Sequence, residues 1–183
     1  MKKEALRKQF KEKREEMSAI ARENQSLAIF NRAIHNLEMT GKKISIFLPI
    51  SRFNEINTQH FIERINADFY LPVIDSKTTL KHVLYESSEQ IKVTEWGIPE
   101  PQYGETIAAS ELDLVLVPLL AVDQKGYRVG YGKGFYDRFL SSCGKNCQFI
   151  GLSYFDPIPQ ILDTHDGDVR LHGCITPMAF FRF

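Results

Sequence analysis

The sequence has 183 residues, a formal net charge of zero and 43% hydrophobic residues. This length fits a single domain over residues 1–183, because single cores commonly span roughly 100 to 200 residues. The composition is that of an ordinary globular protein, and no apolar run approaches the ~18 residues that a membrane-spanning helix needs. Zero net charge argues against the broad electropositive surface of a duplex nucleic-acid binder.

The N-terminal segment and the cysteines both predict a cytosolic protein. Residues 1–17 lack the apolar central region of a secretory signal. Cys143, Cys147 and Cys174 are an odd number of thiols, which is typical of reduced cysteines and not of a disulfide framework. A zinc site would need a fourth ligand, so we interpret them as buried or incidental thiols. We expect a monomer with no membrane or nucleic-acid partner.

Helical and strand patterns alternate along the chain after an N-terminal helical pair. The predicted helices are residues 3–17, a second helix from the N-cap Ser18 to the break at Gly41, residues 58–65 and residues 133–142. The predicted strands are residues 44–48, 69–74, 80–85, 114–120 and 148–152. This order predicts an α/β fold with three layers, a mostly parallel sheet and helices on both faces. Ligands of such sheets bind beyond the carboxyl ends of strands, so the loops after Leu48 and Leu120 are the predicted site.

A glycine-rich segment after the strongest predicted strand is the most informative part of the sequence. The apolar run 114–120 leads through Gly130, Gly132 and Gly134 into a helical pattern. Glycines allow close approach of the backbone, and a helix N-terminus adds about half a positive charge, so such a loop attracts phosphate. Arg128 and Lys133 add two cations. The spacing matches neither a P-loop nor a Rossmann motif, and three alternating glycines alone more often mark a flexible loop.

Residues 117–140, VPLLAVDQKGYRVGYGKGFYDRFL, resemble the motif of the 5-formyltetrahydrofolate cyclo-ligase family, also called methenyltetrahydrofolate synthetases. Further matches are Lys3 with Arg7, Ile46-Phe-Leu48 with Glu55, Trp96-Gly-Ile-Pro-Glu-Pro101, and His165-Asp166. The resemblance implies an ATP- and magnesium-dependent enzyme that closes 5-formyltetrahydrofolate to 5,10-methenyltetrahydrofolate and releases ADP and phosphate. Phosphorylation of the formyl oxygen would make it a leaving group, and N10 of the folate would then attack the activated carbon.

The resemblance also implies a role for each site residue. Lys3 and Arg7, four residues apart on one helix face, would reach the nucleotide phosphates. Arg128 and Lys133 would be the catalytic cations and would also bind ATP: Arg128 would help the loop to hold the triphosphate, and Lys133 would stabilise the charge on the moving phosphoryl group. The resemblance implies further ATP binding by Val129, Gly130, Tyr131, Gly132, Gly134, Phe135 and Tyr136, folate binding by Leu48, Glu55, Trp96, Tyr131 and Phe135, and Mg²⁺ binding by Asp137 and Asp166.

Lys3, Arg7 and Trp96 have ordinary structural alternatives. The two cations are also typical of a solvated helix face, and the tryptophan is also typical of a hydrophobic core. Removing the residues before Gln9 is expected to weaken ATP binding without disturbing the fold, because the predicted sheet lies later in the chain.

The metal assignment leaves alternatives open. Asp137 could instead pair with Arg138 or cap a helix turn. Asp163 and Asp168 lie beside Asp166, and any of these three carboxylates is a candidate ligand; Asp166 is placed first because of the resemblance.

The sequence departs from the family pattern at two positions. Phe135 stands where many members have a second tyrosine, which removes a hydroxyl and keeps a ring face, and some members have glycine at the position of Lys133. Three rival functions stay open. The first is a kinase or transferase for a sugar phosphate or carboxylate, the second is a non-catalytic nucleotide- or folate-binding protein, and the third is nucleic-acid binding through the basic first helix.

Overall fold

The fold is built from four α-helices and twelve β-strands, and the computed structural model describes all of residues 1–183. The helices are α1 (Lys3–Glu15), α2 (Ala19–Asn36), α3 (Gln59–Arg64) and α4 (Phe135–Ser141). The strands are β1 (Lys43–Ser45), β2 (Asp68–Ile74), β3 (Leu80–Leu84), β4 (Ile91–Val93), β5 (Pro99–Pro101), β6 (Thr106–Ile107), β7 (Leu114–Pro118), β8 (Ala121–Val122), β9 (Arg128–Val129), β10 (Gln148–Leu152), β11 (Gly173–Ile175) and β12 (Phe180–Arg182). None of the helices combines the length and apolar character that a membrane span requires.

Eight of the strands form one sheet in the order β12-β11-β10-β7-β1-β2-β3-β6. The central strands from β11 to β2 pair in parallel, and antiparallel pairs extend the sheet at both edges. In the register, Ile44 of β1 lies between Leu114 of β7 and Phe69 of β2. The mostly parallel sheet expected from the sequence is confirmed.

Alternate residues of β7 face opposite layers of the fold. Leu114 and Leu116 pack in one hydrophobic cluster with residues of α2 and α3, such as Phe30. Val115 and Val117 pack in a second cluster, which includes residues of α4. Successive strand side chains point to opposite faces, so a strand covered on both sides is apolar throughout. The expected three-layer arrangement is confirmed.

The N-terminal helical pair is present, and its first helix belongs to the core. Ser18 caps α2, because its Oγ accepts a hydrogen bond of 3.1 Å from the backbone N–H of Ala21. Leu6 and Phe10 of α1 are 1% and 3% exposed. They pack against Leu120, Ala121, Val129 and Ile161. The expectation that residues before Gln9 can be removed without disturbing the fold is therefore wrong.

Leu6→Ala tests this contribution of α1. We expect the free energy of unfolding to fall by about 2 to 5 kcal/mol, because a fully buried leucine leaves a cavity that its neighbours fill only partly. Urea denaturation followed by circular dichroism measures the change. Lys8→Ala, at an exposed position of the same helix, is the control and should stay within about 0.5 kcal/mol of the parent. Equal stabilities of the two variants would contradict the packing of α1 onto the core.

A β-hairpin formed by β8 and β9 lies between β7 and the glycine-rich loop. The prediction from sequence had the strand leading directly into the loop. Asp123 Oδ1 closes its turn by accepting hydrogen bonds from the N–H groups of Lys125 and Tyr127, at 2.9 and 3.0 Å. Gly126 in this turn has φ +83°. The Asp-x-x-Gly sequence over residues 123–126 is a turn signal from which this hairpin could have been predicted. The hairpin places Arg128 at the start of the glycine-rich loop.

Two further differences concern short elements. β1 ends at Ser45, before the predicted end at Leu48, and the chain then turns away so that the Phe47 carbonyl accepts a hydrogen bond from Thr58 Oγ1. The strands β4, β5, β6, β11 and β12 are two or three residues long and are absent from the sequence-based prediction. Runs of this length carry too few residues for a periodic pattern.

Candidate active site

A cavity of about 530 Å³ opens beyond the carboxyl ends of β1, β2 and β7. Its walls are the loop after β1, which runs to Glu55, one face of α1, the β4–β5 hairpin and the glycine-rich loop over residues 130–137. The cavity therefore occupies the edge of the sheet at which parallel strands commonly place a ligand.

Most of the residues proposed from the sequence line this one cavity. They are Lys3, Arg7, Leu48, Glu55, Trp96, Arg128, Gly130, Tyr131, Gly132, Lys133, Gly134, Phe135, Tyr136 and Asp137. Val129 and Asp166 are not among its lining residues. Val129 is fully buried against α1, so only its backbone could face a ligand, and Asp166 is exposed on the C-terminal loop.

Among the lining residues that were not predicted from the sequence, Lys11, Arg52 and Phe53 add two cations and a ring. Lys11 continues the four-residue spacing of Lys3 and Arg7 on α1, and that spacing could have identified it. Arg52 and Phe53 belong to a short 3-10 helix after β1, for which the sequence shows no recognisable pattern.

The glycines let the loop pass closely under α1 and α4. Gly132 and Gly134 have φ +92° and +69°, a region that favours glycine. A Cβ at Gly132 would lie 3.3 Å from the guanidinium of Arg7, and one at Gly134 would lie 2.8 Å from Arg138 Nη1. Arg7 Nε donates a hydrogen bond of 2.9 Å to the carbonyl of Gly130. The first helix and the loop therefore form one continuous wall.

Arg128 and Asp137 form an ion pair at the base of the loop. Arg128 Nη2 lies 2.7 Å from Asp137 Oδ1, and Arg128 Nη1 donates to the carbonyl of Val169 at 2.6 Å. The N–H of Val169 also donates to Asp137 Oδ1, at 3.1 Å. Burial lowers the pKa of Arg128, and the charge of Asp137 acts in the opposite direction. Both hydrogen bonds to Asp137 use Oδ1, and its pairing with Arg138 is not formed.

Lys3 pairs with a carboxylate of the C-terminal loop, and that carboxylate is Asp168. Lys3 Nζ lies 2.6 Å from both oxygens of Asp168, whose side chain is 9% exposed. Partial burial raises the pKa of Asp168, but hydrogen bonds from Lys3 and from the N–H of His165 outweigh it and hold the pKa below its ordinary value. Lys3 is therefore not a solvated surface cation. Its ammonium group pairs with Asp168, its backbone N–H donates to Asp163 Oδ1 at 2.7 Å, and Asp166 makes neither contact.

Glu55 is a buried hydrogen-bond acceptor in the cavity wall. Tyr131 Oη donates to Oε1 at 2.6 Å, and the N–H of Ile50 donates to Oε2 at 2.8 Å. The Tyr131 ring stacks on Phe53 with 4.6 Å between ring centroids. Burial raises the pKa of Glu55, whereas the hydrogen bonds from Tyr131 and Ile50 and the charge of Arg14 oppose the rise.

Trp96 lies in the turn of the β4–β5 hairpin, with 64% of its surface exposed. Because it also lines the cavity, the interpretation of Trp96 as a core residue is wrong. Phe135 offers a second ring in the cavity wall, with the Arg138 guanidinium 5.5 Å from its centroid. These rings and Leu48 give one part of the cavity flat apolar walls suited to an aromatic ligand.

Cations outnumber carboxylates around the cavity. Its lining residues include the cations Lys3, Arg7, Lys11, Arg52, Arg128 and Lys133 and the carboxylates Glu55, Glu100 and Asp137. The whole chain has zero net charge, so this surplus is a local property of the cavity. A concave site with surplus positive charge attracts anions such as phosphates.

Comparison with known proteins identifies relatives over nearly the whole chain. The model of the 5-formyltetrahydrofolate cyclo-ligase family matches residues 1–176. The mouse 5-formyltetrahydrofolate cyclo-ligase is 32% identical over 182 residues, covering 90% of this chain and 89% of the mouse protein. The enzyme of the same name from Haemophilus influenzae is 32% identical over 181 residues, covering 93% and 95% of the two chains.

Two experimental structures have the same fold. The NMR structure of 5,10-methenyltetrahydrofolate synthetase from Aquifex aeolicus matches with a TM-score of 0.85 at 26% identity, covering 100% of this chain and 93% of that one. The Mycoplasma pneumoniae 5,10-methenyltetrahydrofolate synthetase matches with a TM-score of 0.75 at 27% identity, covering 97% and 99%.

The fold, the cavity and these relatives define the class of protein as an α/β ligase of folate one-carbon metabolism. The chain belongs to the 5-formyltetrahydrofolate cyclo-ligase family. The family implies a folate and ATP as small-molecule substrates.

Proposed function

We propose that this protein cyclises 5-formyltetrahydrofolate to 5,10-methenyltetrahydrofolate with Mg²⁺ and ATP, releasing ADP and phosphate. The observation that carries the proposal is that one cavity joins two different surfaces. The cations of α1 and of the glycine-rich loop line the same cavity as the aromatic rings and Glu55. This arrangement suits a reaction between a polyphosphate and a flat heterocycle.

The chemistry requires that the formyl oxygen leave the carbon that becomes the methenyl bridge. Hydroxide is a poor leaving group near neutral pH, so the γ-phosphoryl group of ATP is first transferred to the formyl oxygen. N10 then attacks the activated carbon and loses its proton, and the oxygen leaves as phosphate. Phosphoryl transfer depends on positioning and charge stabilisation more than on a protein nucleophile. Cations and backbone N–H groups can therefore promote this step without one.

The glycine-rich loop and α1 bind the triphosphate in this proposal. Arg7 is held against the loop by its bond to Gly130, and Lys133 lines the cavity beside it. Arg128 is the buried cation at the base of the loop. Lys133 makes no side-chain hydrogen bond or ion pair within the chain, so its charge is free for the transferring phosphoryl group.

The folate occupies the side of the cavity that Glu55 and the aromatic rings form. Trp96 and Phe135 cover the two flat faces of the ligand, and Leu48 lies at its edge. Glu55 accepts hydrogen bonds from N–H groups of the pterin, since an ionised carboxylate has acceptor sites beyond those used by Tyr131 and Ile50.

The carboxylates fit a magnesium ion that is bound mainly through the nucleotide. Mg²⁺ prefers one or two carboxylates together with phosphate oxygens and water. Asp137 lines the cavity and uses only Oδ1 in its hydrogen bonds, so Oδ2 can serve as a ligand. Asp168 pairs with Lys3, which lines the cavity, and is therefore proposed in place of the exposed Asp166 as the second carboxylate. When bound, the ion neutralises charge on the phosphates.

One assay tests the proposal. Purified protein is mixed with 5-formyltetrahydrofolate and Mg-ATP, and the absorbance of the conjugated methenyl product is followed, with reactions lacking ATP, Mg²⁺ or protein as controls. We expect a rise in absorbance only in the complete mixture. ADP release without any folate would support the rival kinase or transferase, and binding of both ligands without turnover would support a non-catalytic binding protein.

The cytosolic location and the monomeric state expected from the sequence stay predictions. Size-exclusion chromatography with light scattering measures the second of these directly.

A further inference from the structure

A buried arginine behind the cavity wall has no role in the mechanism above. Arg14 of α1 is 3% exposed and does not line the main cavity. Its Nη1 donates to Tyr131 Oη at 3.2 Å and to the carbonyl of Phe53 at 3.5 Å, and its Nη2 donates to the carbonyl of Leu119. One guanidinium therefore holds the loops that follow β1, β7 and β9.

The hydrogen bond from Arg14 to Tyr131 determines which way the hydrogen bond between Tyr131 and Glu55 runs. A guanidinium has no acceptor, so the Tyr131 hydroxyl must accept from Arg14. A hydroxyl has a single proton, which is then left to be donated to Glu55 Oε1, 2.6 Å away. The N–H of Ile50 already donates to Oε2. Both oxygens of Glu55 thus accept a hydrogen bond from the protein, and such bonds favour the ionised carboxylate over the protonated one.

The charges agree with this direction. Arg14 forms no direct ion pair. Its hydrogen bond to the Tyr131 hydroxyl, which in turn donates to Glu55, links it to that carboxylate. Two tyrosines also face Glu55: burial and the charge of Glu55 raise the pKa of Tyr136, and Tyr154 Oη donates to the Glu55 backbone carbonyl at 3.1 Å. The cavity cations Lys11 and Arg52 lie against the stacked rings of Tyr131 and Phe53, with Lys11 Nζ 6.0 Å from the Tyr131 centroid and the Arg52 guanidinium 4.6 Å from the Phe53 centroid. Burial raises the pKa of Glu55, and Arg14 is the cation whose charge opposes this rise.

We propose that Arg14 is a positioning residue that acts through Tyr131 to keep Glu55 ionised and oriented as the acceptor for the folate substrate. This inference rests on the proposed function, because it assigns the work of Glu55 to folate binding. It predicts a defect confined to the folate side of the cavity, even though Arg14 lies on the same helix as the phosphate-binding residues Lys3 and Arg7.

The pH dependence gives the sign of the effect. Burial raises the pKa of Glu55, and Arg14 and Tyr131 lower it, so removing either partner should raise it further. Folate binding needs the ionised form, which is lost as the pH falls through this pKa. The acid limb of the profile of kcat/KM for folate should therefore move to higher pH in a variant without the network.

Four variants test the proposal. Arg14→Met removes the charge and the donors, Arg14→Lys keeps the charge without the forked donors, and Tyr131→Phe keeps the ring stacked on Phe53 but breaks the relay. Arg32→Met is the matched control, because Arg32 Nη2 also donates to a backbone carbonyl, that of Pro177, at 3.2 Å and away from the cavity.

We expect Arg14→Met to raise KM for 5-formyltetrahydrofolate about tenfold and to move the acid limb up by about 1 pH unit, with KM for ATP within about twofold. In Arg14→Lys the acid limb should lie close to that of the parent, because the charge is kept. Tyr131→Phe should move the limb in the same direction as Arg14→Met. Arg32→Met should leave both KM values and the profile unchanged. All rates are measured below the melting temperature of each variant.

The outcomes separate this inference from the proposed function. A parent protein that forms no methenyl product removes the proposed function. A parent that is active, with an acid limb unmoved in Tyr131→Phe or in folded Arg14→Met, overturns the role of Arg14 alone. Equal increases in KM for ATP and for folate would show that Arg14 only supports the loops, and would overturn it as well. If Arg14→Met does not fold, Tyr131→Phe decides the question.

Discussion

Lys133→Ala should lower kcat by about 100- to 1,000-fold while changing the dissociation constant for 5-formyltetrahydrofolate by about twofold or less. Lys133 lies on the exposed side of the glycine-rich loop and lines the cavity without an ion-pair partner. Its charge matters most while the phosphoryl group is in transfer, and an interaction that strengthens only then raises kcat more than it improves substrate binding.

Single-turnover formation of the methenyl product measures the chemical step for Lys133→Ala, and equilibrium titration measures folate affinity. Lys133→Arg keeps the charge and should retain much more activity than the alanine variant. Lys145→Ala, at an exposed position beyond α4, is the matched control and should behave as the parent. Equal losses of turnover and folate affinity in Lys133→Ala would mean that Lys133 positions the substrate and does not stabilise the transfer.

Glu55→Gln should raise KM for 5-formyltetrahydrofolate by about 100-fold, because hydrogen bonds to a charged acceptor in a desolvated site are each worth about 1.5 to 3 kcal/mol. The amide also replaces one of the two oxygens by an N–H₂ group, so that either Tyr131 or Ile50 faces a donor in place of an acceptor. The affinity for ATP should stay within about threefold of the parent, since the phosphate-binding cations are untouched.

Steady-state kinetics over a range of pH measures the effect of Glu55→Gln. The acid limb assigned to Glu55 should disappear from the profile, because glutamine does not titrate. Glu23→Gln is the control, since Glu23 pairs with His60 at 2.8 Å outside the cavity and its loss should affect stability and not KM. A Glu55→Gln profile with an unchanged acid limb would assign that limb to another group.

The long and regular elements of the fold were predictable from the sequence. The residues of β7 are apolar at every position because both faces are covered, and α1 and α2 show apolar residues at helical spacing with Ser18 between them. These patterns depend on local sequence alone. The alternating glycines after the apolar run 114–120 located the glycine-rich loop, and the resemblance to a known family located Glu55 and Trp96; all of them line the cavity.

The remaining features depend on contacts between distant residues. Arg52 and Phe53 enter the cavity through a short 3-10 helix, and no periodic pattern indicates that. The sequence does not distinguish Arg14 from the other cations of a basic helix. In the structure it is buried, and three distant groups accept its hydrogen bonds. Asp168 and Asp166 are alike in sequence, and only the fold places one of them beside Lys3.

The pairing of Lys3 with Asp168 joins residues that are 165 positions apart, and Arg7 meets Gly130 at a separation of 123 positions. A chain leaving the ribosome would thus carry the first cations of the cavity long before their partners are synthesised. Closing such long loops is slow compared with forming local helices. In refolding experiments, recovery of enzymatic turnover should be among the last signals to return, well after the helical circular dichroism.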